Sequence, residues 1–431
     1  MNQQIEQAIH SLRLNEGRYT RTERYYEGRH DLAFASEKFQ NAFGSLFREF
    51  AMNLCPAVCD SIRDKLIVRE FGTENAGDSA AASIGTESRR IWQQNRMAVR
   101  SAEVHNEAVK NGDAYAIVWP DAAGRPVIFP NRAVSCTAAY DEESPGRIVW
   151  AAKHWKSAAK HTRLNLLFPD RIEKYISAKA TERSLPEAKE FVPFVDAGPD
   201  SWVTSNPYGV VPVFHFANNA GLGGFGRSEL DAAIPIQDGL NKCVLDMLVA
   251  MEYCAYRQRW AAGIELEYDD AGNAIPPFKA GVDHLWITDK TDASFGEFNT
   301  ADLEQFLKVK DSFRVDIASV TGTPLHYLLP YTDAFPSGEA LRKAETRFIS
   351  KVRARQEAFG QTWAGVMSLA LRIAGRGDTR VITHWENPAA YSEREILENI
   401  RLKQEIGISA TQALLEAGYA EADIRSMIDP K

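Results

Sequence analysis

The sequence predicts a helix-rich α+β fold, and three patterns support this prediction. Helical periodicity dominates both ends of the chain, and short alternating segments typical of β-strands lie between residues 113 and 177. An unbroken helical pattern occupies residues 338–374. With 431 residues, of which 45% are hydrophobic and 25% charged, the chain is expected to form two to four folded domains.

The first 220 residues are predicted to form an α+β domain in which helices precede strands. Each helix is inferred from apolar residues recurring at helical spacing, and each strand from a short run of apolar and β-branched residues. The predicted segments are helices over 3–30 and 36–66, a loop over 72–85, a helix over 86–112, a hairpin over 113–130, strands over 147–156, 163–169 and 171–177, and a loop over 180–205.

The second half is predicted to be mainly helical. Ser337 is expected to cap the long helix, which at 1.5 Å per residue would span about 55 Å and cross more than one layer of the fold. The pairs Ser392/Glu395 and Ser409/Gln412 match the capping box that starts a helix. The predicted segments are a helix over 229–256, strand-like segments over 263–277 and 283–290, a helix over 302–321, a proline-bracketed loop over 322–336, the long helix over 338–374 and two C-terminal helices.

The stretch VVPVFHFANNAGLGGFGRSEL, residues 210–230, carries Gly221, Gly223 and Gly226 with the spacing of a dinucleotide-binding turn. Such a turn follows its strand directly, and an acidic residue ends the next strand about 20 residues later. Here ANNA separates the strand from Gly221, and Asp246 lies inside a helical pattern. A turn leading into a long helix is therefore favoured, and a dinucleotide-binding enzyme that uses these three glycines is the alternative.

Other signatures of chemistry are missing from the sequence. It has no GxxxxGK[ST] phosphate loop, no HExxH or similar metal-ligand spacing and no CxxC pair among its five cysteines, which are expected to be free thiols. It also has no apolar signal-peptide core and no uncharged apolar stretch of about 18 residues. We expect no enzyme activity, no cofactor, no metal and no membrane contact.

Several stretches, in this order, resemble the portal proteins of tailed bacteriophages, specifically the siphophage type. They are spread over most of residues 20–375, and their ordered occurrence is more specific than any one of them. The matching stretches are YYEGRH, CPAVCDSIRDKLIVREF, IWQQNRM, EAVKNGDAYAIVWPD, NPYGVVPVFHFANN, GRSEL, IPIQDGLNK, RQRWAAGIE, TGTPLHYLL, FPSGEALRKAE and KVRARQEAFG.

The resemblance implies a ring of about twelve identical subunits at one vertex of a phage head. Double-stranded DNA would be packaged and ejected through its axial channel, and the ring would be the docking platform for the terminase and for head-tail adaptor proteins. Major capsid and scaffolding proteins are further implied partners. The protein would belong to the virion and assemble in the bacterial host cytoplasm. The alternative within the same setting is another virion structural protein, such as a head-tail adaptor.

The resemblance also implies a portal fold of wing, stem, clip and crown. The corresponding segments are 1–230 as the wing, 231–258 as the first stem helix, 259–302 as the clip, 303–321 as the second stem helix, 322–337 as the tunnel loop, 338–385 as the long spine helix that completes the wing, and 386–431 as the crown.

Charge is distributed unevenly over these segments, although the whole chain has a net charge of −8. Residues 263–304 hold ten acids and two bases, whereas residues 338–375 hold seven bases and three acids. In a ring the acidic segment would repel DNA, which carries one charge per roughly 1.7 Å of its axis, and would attract basic partner surfaces. A merely solvated acidic surface is the alternative. The residues predicted to form the acidic docking surface are Glu265, Glu267, Asp269 and Asp270.

Two further sets of residues are candidates for contact with DNA. Lys308, Lys310 and Arg314 on the second stem helix could line the channel and meet phosphates, with ordinary helix-surface charges as the alternative. The tunnel loop is apolar and rich in proline, which fixes φ and removes donors, so a steric and weakly adhesive contact is expected. A loop packed on its own subunit is the alternative. The tunnel-loop residues expected to face DNA are Leu329, Pro330, Tyr331, Thr332 and Asp333.

Overall fold

The structure is a computed structural model of the chain. The residues that it describes are 2–31, 52–73, 78–144, 146–182, 185–195, 198, 200–221, 224–255, 259–264, 267–268, 270, 274–275, 287–288, 291–297, 303–329, 337–389, 391, 393–419 and 424.

Helices and strands both contribute to the fold, as the sequence predicts. The helices are α1 (Asn2–Leu14), α2 (Glu16–Tyr26), α3 (Cys55–Arg63), α4 (Asp78–Gln94), α5 (Met97–Asn111), α6 (Ile234–Ala255), α7 (Glu304–Thr321), α8 (Leu325–Leu328), α9 (Gly338–Ile373), α10 (Glu393–Glu405) and α11 (Ala410–Glu416). The strands are β1 (Val68–Thr73), β2 (Asp113–Pro120), β3 (Pro126–Arg132), β4 (Cys136–Tyr140), β5 (Ile148–Lys156), β6 (Thr162–Leu167), β7 (Arg171–Ser177), β8 (Phe191–Pro193), β9 (Val203–Ser205), β10 (Val213–Ala217), β11 (Arg259–Ala262), β12 (Glu267–Tyr268), β13 (Ala274–Ile275), β14 (Ser294–Glu297) and β15 (Val381–Trp385).

Antiparallel pairing organises the strands into sheets of different size. The largest sheet runs β4-β5-β6-β7-β8, with β9 also paired to β7, and a three-stranded sheet runs β10-β2-β3. Strand β1 pairs with β15, which lies more than 300 positions later in the chain. The large sheet has an apolar layer on each face, because side chains alternate along a strand. One layer includes Ile5 and Leu12 of α1, and the other includes Tyr115 and Val213 of the three-stranded sheet.

Helix α9 is the longest helix and packs against several layers. It contacts α4, the strands of the three-stranded sheet and β15. Its Trp363 is fully buried, lies edge-on to Trp92 with ring centroids 5.1 Å apart, and donates an indole hydrogen bond to His105 Nε2 at 2.8 Å. The Ser337 hydroxyl accepts a hydrogen bond from the Ala340 N–H at 3.3 Å, which confirms the predicted cap.

The chain divides into two compact units. Unit 1 contains residues 1–29, 53–235 and 317–431, and unit 2 contains residues 30–52 and 236–316. Unit 2 therefore includes most of α6 and α7 and the short strands between them. It also includes residues 30–52, which the resemblance assigned to the wing. The boundaries of wing, stem, clip and crown remain predictions.

Some predicted elements differ in detail from the structure. The loop prediction over 72–85 is wrong in its second half, because α4 begins at Asp78. A run of three alanines follows two positions later, and alanine is the strongest helix former. The single helix predicted over 86–112 is interrupted at Arg96, whose φ is 54°. The loop predicted over 180–205 contains β8 and β9.

The interruption between α4 and α5 coincides with hydrogen bonds made by the Asn95 side chain. The Asn95 side chain donates to the Ile91 carbonyl at 2.9 Å and to the Pro126 carbonyl at 3.1 Å, and it accepts from the Ile128 N–H at 2.9 Å. The Asn95 side chain thus shares the Ile91 carbonyl with the helix backbone and ties the end of α4 to β3. Side-chain hydrogen bonds of this kind compete with continued helical pairing. The predicted helix over 36–51, the strand-like residues 283–286 and the capping residue Ser392 lie outside the described residues.

Candidate functional site

The glycine-rich segment before α6 is anchored in the interior of unit 1. A Cβ added to Gly226 would lie 1.9 Å from the carbonyl oxygen of Gly112 and 2.6 Å from the nitrogen of Asn218, so only glycine fits at this position. By contrast, a Cβ at Gly224 would have no atom within 4 Å, and one at Gly221 would meet only the end of the Arg227 side chain. Close backbone approach therefore explains Gly226, while Gly223 lies outside the described residues.

Asp113 is the hydrogen-bond acceptor at the centre of this anchor. Its fully buried carboxylate accepts from the Gly226 N–H at 2.6 Å and from His215 Nε2 at 2.7 Å through one oxygen. The other oxygen accepts from Arg18 Nη2 at 2.6 Å and from the Tyr19 hydroxyl at 2.7 Å. Burial and the neighbouring carboxylate raise the pKa of Tyr19 above its usual value, so the hydroxyl keeps its proton and donates. The Gly226 N–H is thus engaged internally, unlike the amides of a phosphate-binding turn.

Glu229 provides the second anchor, just before α6. Its buried carboxylate pairs with Lys351 and with Arg355 Nη2 (2.7 Å) on α9, and it accepts a hydrogen bond from Asn218 at 3.1 Å. Burial acts to raise the pKa of the Glu229 carboxyl, but the two cations outweigh it and hold that pKa below its usual value. Glu229 therefore fixes the chain to the spine helix directly ahead of the predicted stem.

Within unit 2, α6 and α7 pack closely at one point. A Cβ added to Gly239 would lie 2.9 Å from the Phe313 ring, which shows that the ring rests on the glycine. On α6, the Gln237 amide donates to the Met52 carbonyl at 2.6 Å and to Asn241 Oδ1 at 3.0 Å. Asn241 in turn lies 2.7 Å from His30 Nδ1. These polar side chains lie on the predicted first stem helix and tie it to residues 30 and 52.

The three basic residues predicted to line the channel differ in exposure. Lys308 is exposed and forms an i,i+4 ion pair with Glu304 at 3.0 Å. Lys310 is half-buried. Arg314 is largely covered, with a side chain 16% exposed that contacts Asp311 at 3.3 Å. The structure therefore does not bring the three cations together on one open face, and their contact with phosphate stays a prediction.

Helix α7 exposes apolar side chains to solvent in this single chain. Leu307, Val309 and Val315 are each more than 40% exposed. With 100° between successive residues, Val309 and Val315 lie on opposite edges of the exposed face, and Ser312 lies between them. Exposed apolar side chains of this kind mark a candidate surface for contact with another protein chain.

The start of the predicted tunnel loop is held against α9. In the short helix α8, His326 Nε2 lies 3.0 Å from Glu345 Oε1, and the Tyr327 hydroxyl donates to the same oxygen at 2.9 Å. The Tyr327 ring is edge-on to Phe348, with centroids 5.9 Å apart. Leu329 is half-buried directly after this helix. The other residues predicted to face DNA, Pro330, Tyr331, Thr332 and Asp333, lie outside the described residues.

The predicted acidic docking surface is described only in part. Glu267 lies in β12, which pairs with β13, and Asp270 is exposed in the turn that follows. Glu265 and Asp269 lie outside the described residues. The role of these four acids in docking stays a prediction.

Metal-ligand clusters and membrane-length apolar helices are not found among the described residues. No group of three or more histidine, cysteine, aspartate or glutamate side chains there could hold a metal ion. No helix in that part is long and apolar enough to cross a membrane.

Comparison with known proteins supplies the family. The family model of phage portal proteins of the SPP1 Gp6-like type matches residues 6–418. The portal protein of Mycobacterium phage D29 is 29% identical over 203 residues, which cover 44% of this chain and 41% of that protein. The portal protein of Mycobacterium phage L5 is 29% identical over 192 residues, or 42% and 39% of the two chains. The aligned region thus spans about two fifths of the length of these curated relatives.

Two solved structures also resemble the chain. A chain from the virion of a native gene transfer agent particle has a TM-score of 0.49 and 12% identity, covering 85% of this chain and 90% of that one. A chain from the neck of an empty gene transfer agent particle has a TM-score of 0.49 and 11% identity, covering 86% and 91%.

Since the family model matches nearly the entire chain, the protein belongs to the family of SPP1 Gp6-like phage portal proteins. This family is structural rather than catalytic, and its members are components of bacteriophage virions. The resemblance read from the sequence is confirmed at the level of the family.

Sequence reasoning missed several residues that organise this region. Asp113 stands in a strand-like stretch, and the sequence alone does not show that four donors converge on it. The sequence predicts Glu229 at the start of a helix, whereas α6 begins five positions later. One sequence signal for an acidic partner is the pair of bases Lys351 and Arg355, because they lie one helical turn apart and share a face of α9.

Proposed function

We propose that the protein assembles into a ring of about twelve copies that forms the channel for double-stranded DNA at one capsid vertex. Family membership across residues 6–418 is the observation that carries this proposal. The exposed valines on both edges of α7 support it, because each subunit of a ring contacts two neighbours through two different surfaces. In this proposal, the ring also docks the terminase, a head-tail adaptor, and the capsid and scaffolding proteins.

The DNA path in this proposal passes α7 and the tunnel loop. Lys308 is the predicted stem cation that is most exposed, so it is the first candidate for phosphate contact. The tunnel loop contributes Leu329 to Asp333, in which Asp333 is the single charged side chain. The contact with DNA would be steric, which suits a channel that must let a duplex slide.

Deletion of Leu329–Asp333 tests the proposed path. We expect the ring to assemble normally, because α8 is held independently by Glu345. We also expect fewer DNA-filled heads when the variant replaces the wild-type portal protein in a packaging assay, measured as nuclease-protected DNA. Loss of the ring would instead indicate a loop packed on its own subunit. Unchanged packaging would remove the loop's proposed role.

A further inference from the structure

A recess opens in unit 1 between the large sheet and the β2–β3 hairpin. It has a volume of about 350 Å³ and is walled mainly by aromatic and aliphatic side chains. Phe129 is 41% exposed at its rim. The lining residues that matter here are Trp119, Phe129, Lys153, Trp155, Asn165 and Lys174.

Strand register explains how the polar members of this recess come together. Lys153 on β5 pairs with Asn165 on β6, which pairs with Lys174 on β7, so the three form one row across the sheet. Trp155 and Arg163 form the next row on the same face, because side chains two positions apart point the same way. The Arg163 guanidinium lies 3.2 Å from the Phe194 ring centroid and 5.6 Å from that of Trp155.

The two lysines of this recess, Lys153 and Lys174, have no carboxylate beside them on the described strands. On this face, β5, β6 and β7 carry three bases and no acid. Neither Lys153 nor Lys174 forms an ion pair with any described residue, and Asn165 Oδ1 is buried without a hydrogen-bond partner among them. Burial lowers the pKa of Lys153, because it disfavours the charged form of the ammonium group.

We propose that this recess, defined by Lys153, Lys174, Trp119 and Trp155, binds an acidic segment of a partner protein. Lys153 and Lys174 lie two strands apart, so their Cα atoms are about 9.5 Å apart. This distance matches two acids three positions apart in a polyproline II segment, in which every third side chain points the same way. An apolar side chain between the acids would enter the aromatic walls, where buried aromatic anchors contribute most of the binding energy. The ligand is therefore an acid-apolar-x-acid segment in the polyproline II conformation.

A duplex fits this recess poorly. Phosphate contacts to duplex DNA come from cations that reach out from an exposed surface. Here Lys153 is half-buried behind aromatic side chains, and a recess of this size admits single side chains. Binding at this recess requires only a single folded chain and is independent of ring assembly.

Selection of a displayed random peptide library on the full-length protein tests the proposal. We expect enriched peptides to carry two acids three positions apart with an apolar residue between them. Their affinity, measured by fluorescence anisotropy, should fall about tenfold or more for Lys153→Met and for Lys174→Met. Methionine keeps the length of the side chain, so the fold should be retained, which circular dichroism checks.

Lys156→Met is the matched control, because Lys156 lies on the same strand but points to the opposite face. Its affinity for the selected peptides should equal that of the wild type. The proposal is overturned if no acidic class is enriched, or if the selected peptides bind the Lys153→Met and Lys174→Met double variant as tightly as the wild type. Binding of a short DNA duplex that depends on Lys153, without any selected peptide, would assign the recess to nucleic acid instead.

Discussion

At the scale of single residues, Gly226 shows that close packing of the backbone can require the last glycine of a GxGxxG spacing. Gly226 is required because the backbone of Gly112 approaches it too closely for any side chain. Its N–H then donates to Asp113, which also accepts from Arg18 and Tyr19. At Gly226, the last glycine of the GxGxxG spacing, the requirement for glycine therefore comes from close packing of the backbone in the interior.

Replacing Gly226 with alanine should destabilise the protein. The added Cβ would clash with two backbone segments that cannot move independently, so we expect a loss of about 2–4 kcal/mol in the free energy of unfolding. Thermal unfolding followed by circular dichroism measures this loss. Gly224→Ala is the matched control, since its Cβ would have open space, and it should unfold close to the wild-type temperature. Equal losses in both variants would contradict the packing argument.

Glu229→Gln should also destabilise unit 1, by about 3–5 kcal/mol, because it leaves Lys351 and Arg355 partly buried and unpaired. The pH dependence follows from the lowered pKa of Glu229 in the folded state. Its stabilising contribution is present above the unfolded pKa of about 4.3 and is lost as pH falls through the lower folded pKa. Urea unfolding between neutral and acidic pH should therefore show a smaller acid-induced loss for Glu229→Gln. Parallel curves for the two proteins would argue against this role.

At the scale of elements, the long helix and its cap could be predicted from sequence, because Ser337 and 36 helical residues follow strong local rules. The break at Asn95 could not, because it depends on backbone groups of a strand that is distant in sequence. The recess was equally hidden, although the alternation of Lys153 and Trp155 already placed both on one face of a strand. Its partner Lys174 depends on strand register, which only the fold provides.

The exposed face of α7 leads to a prediction about assembly. Val309→Glu and Val315→Glu should each weaken subunit association, because each buries a new charge against a neighbour in the proposed ring. Sedimentation velocity should show a shift from ring to smaller species. Ser312→Glu adds the same charge at an exposed polar position between the two valines and should assemble like the wild type. Normal rings from both valine variants would exclude these edges from the interface.

At the scale of the whole molecule, family membership follows from ordered motifs, while the site residues depend on partners. The motifs are spread along the chain, so their order identified the family before any contact was known. The roles proposed for Lys308 and Asp270 would involve neighbouring copies, DNA or docking proteins, and a single sequence contains none of those surfaces. What the sequence reveals best is therefore the family, and what it reveals least is which side chains face the channel.

Native mass measurement combined with negative-stain imaging of the purified protein tests whether the chain forms the proposed ring. The ring proposal predicts one dominant assembly of about twelve subunits with a central opening, at micromolar concentration and moderate salt. A monodisperse monomer or dimer under the same conditions would contradict it.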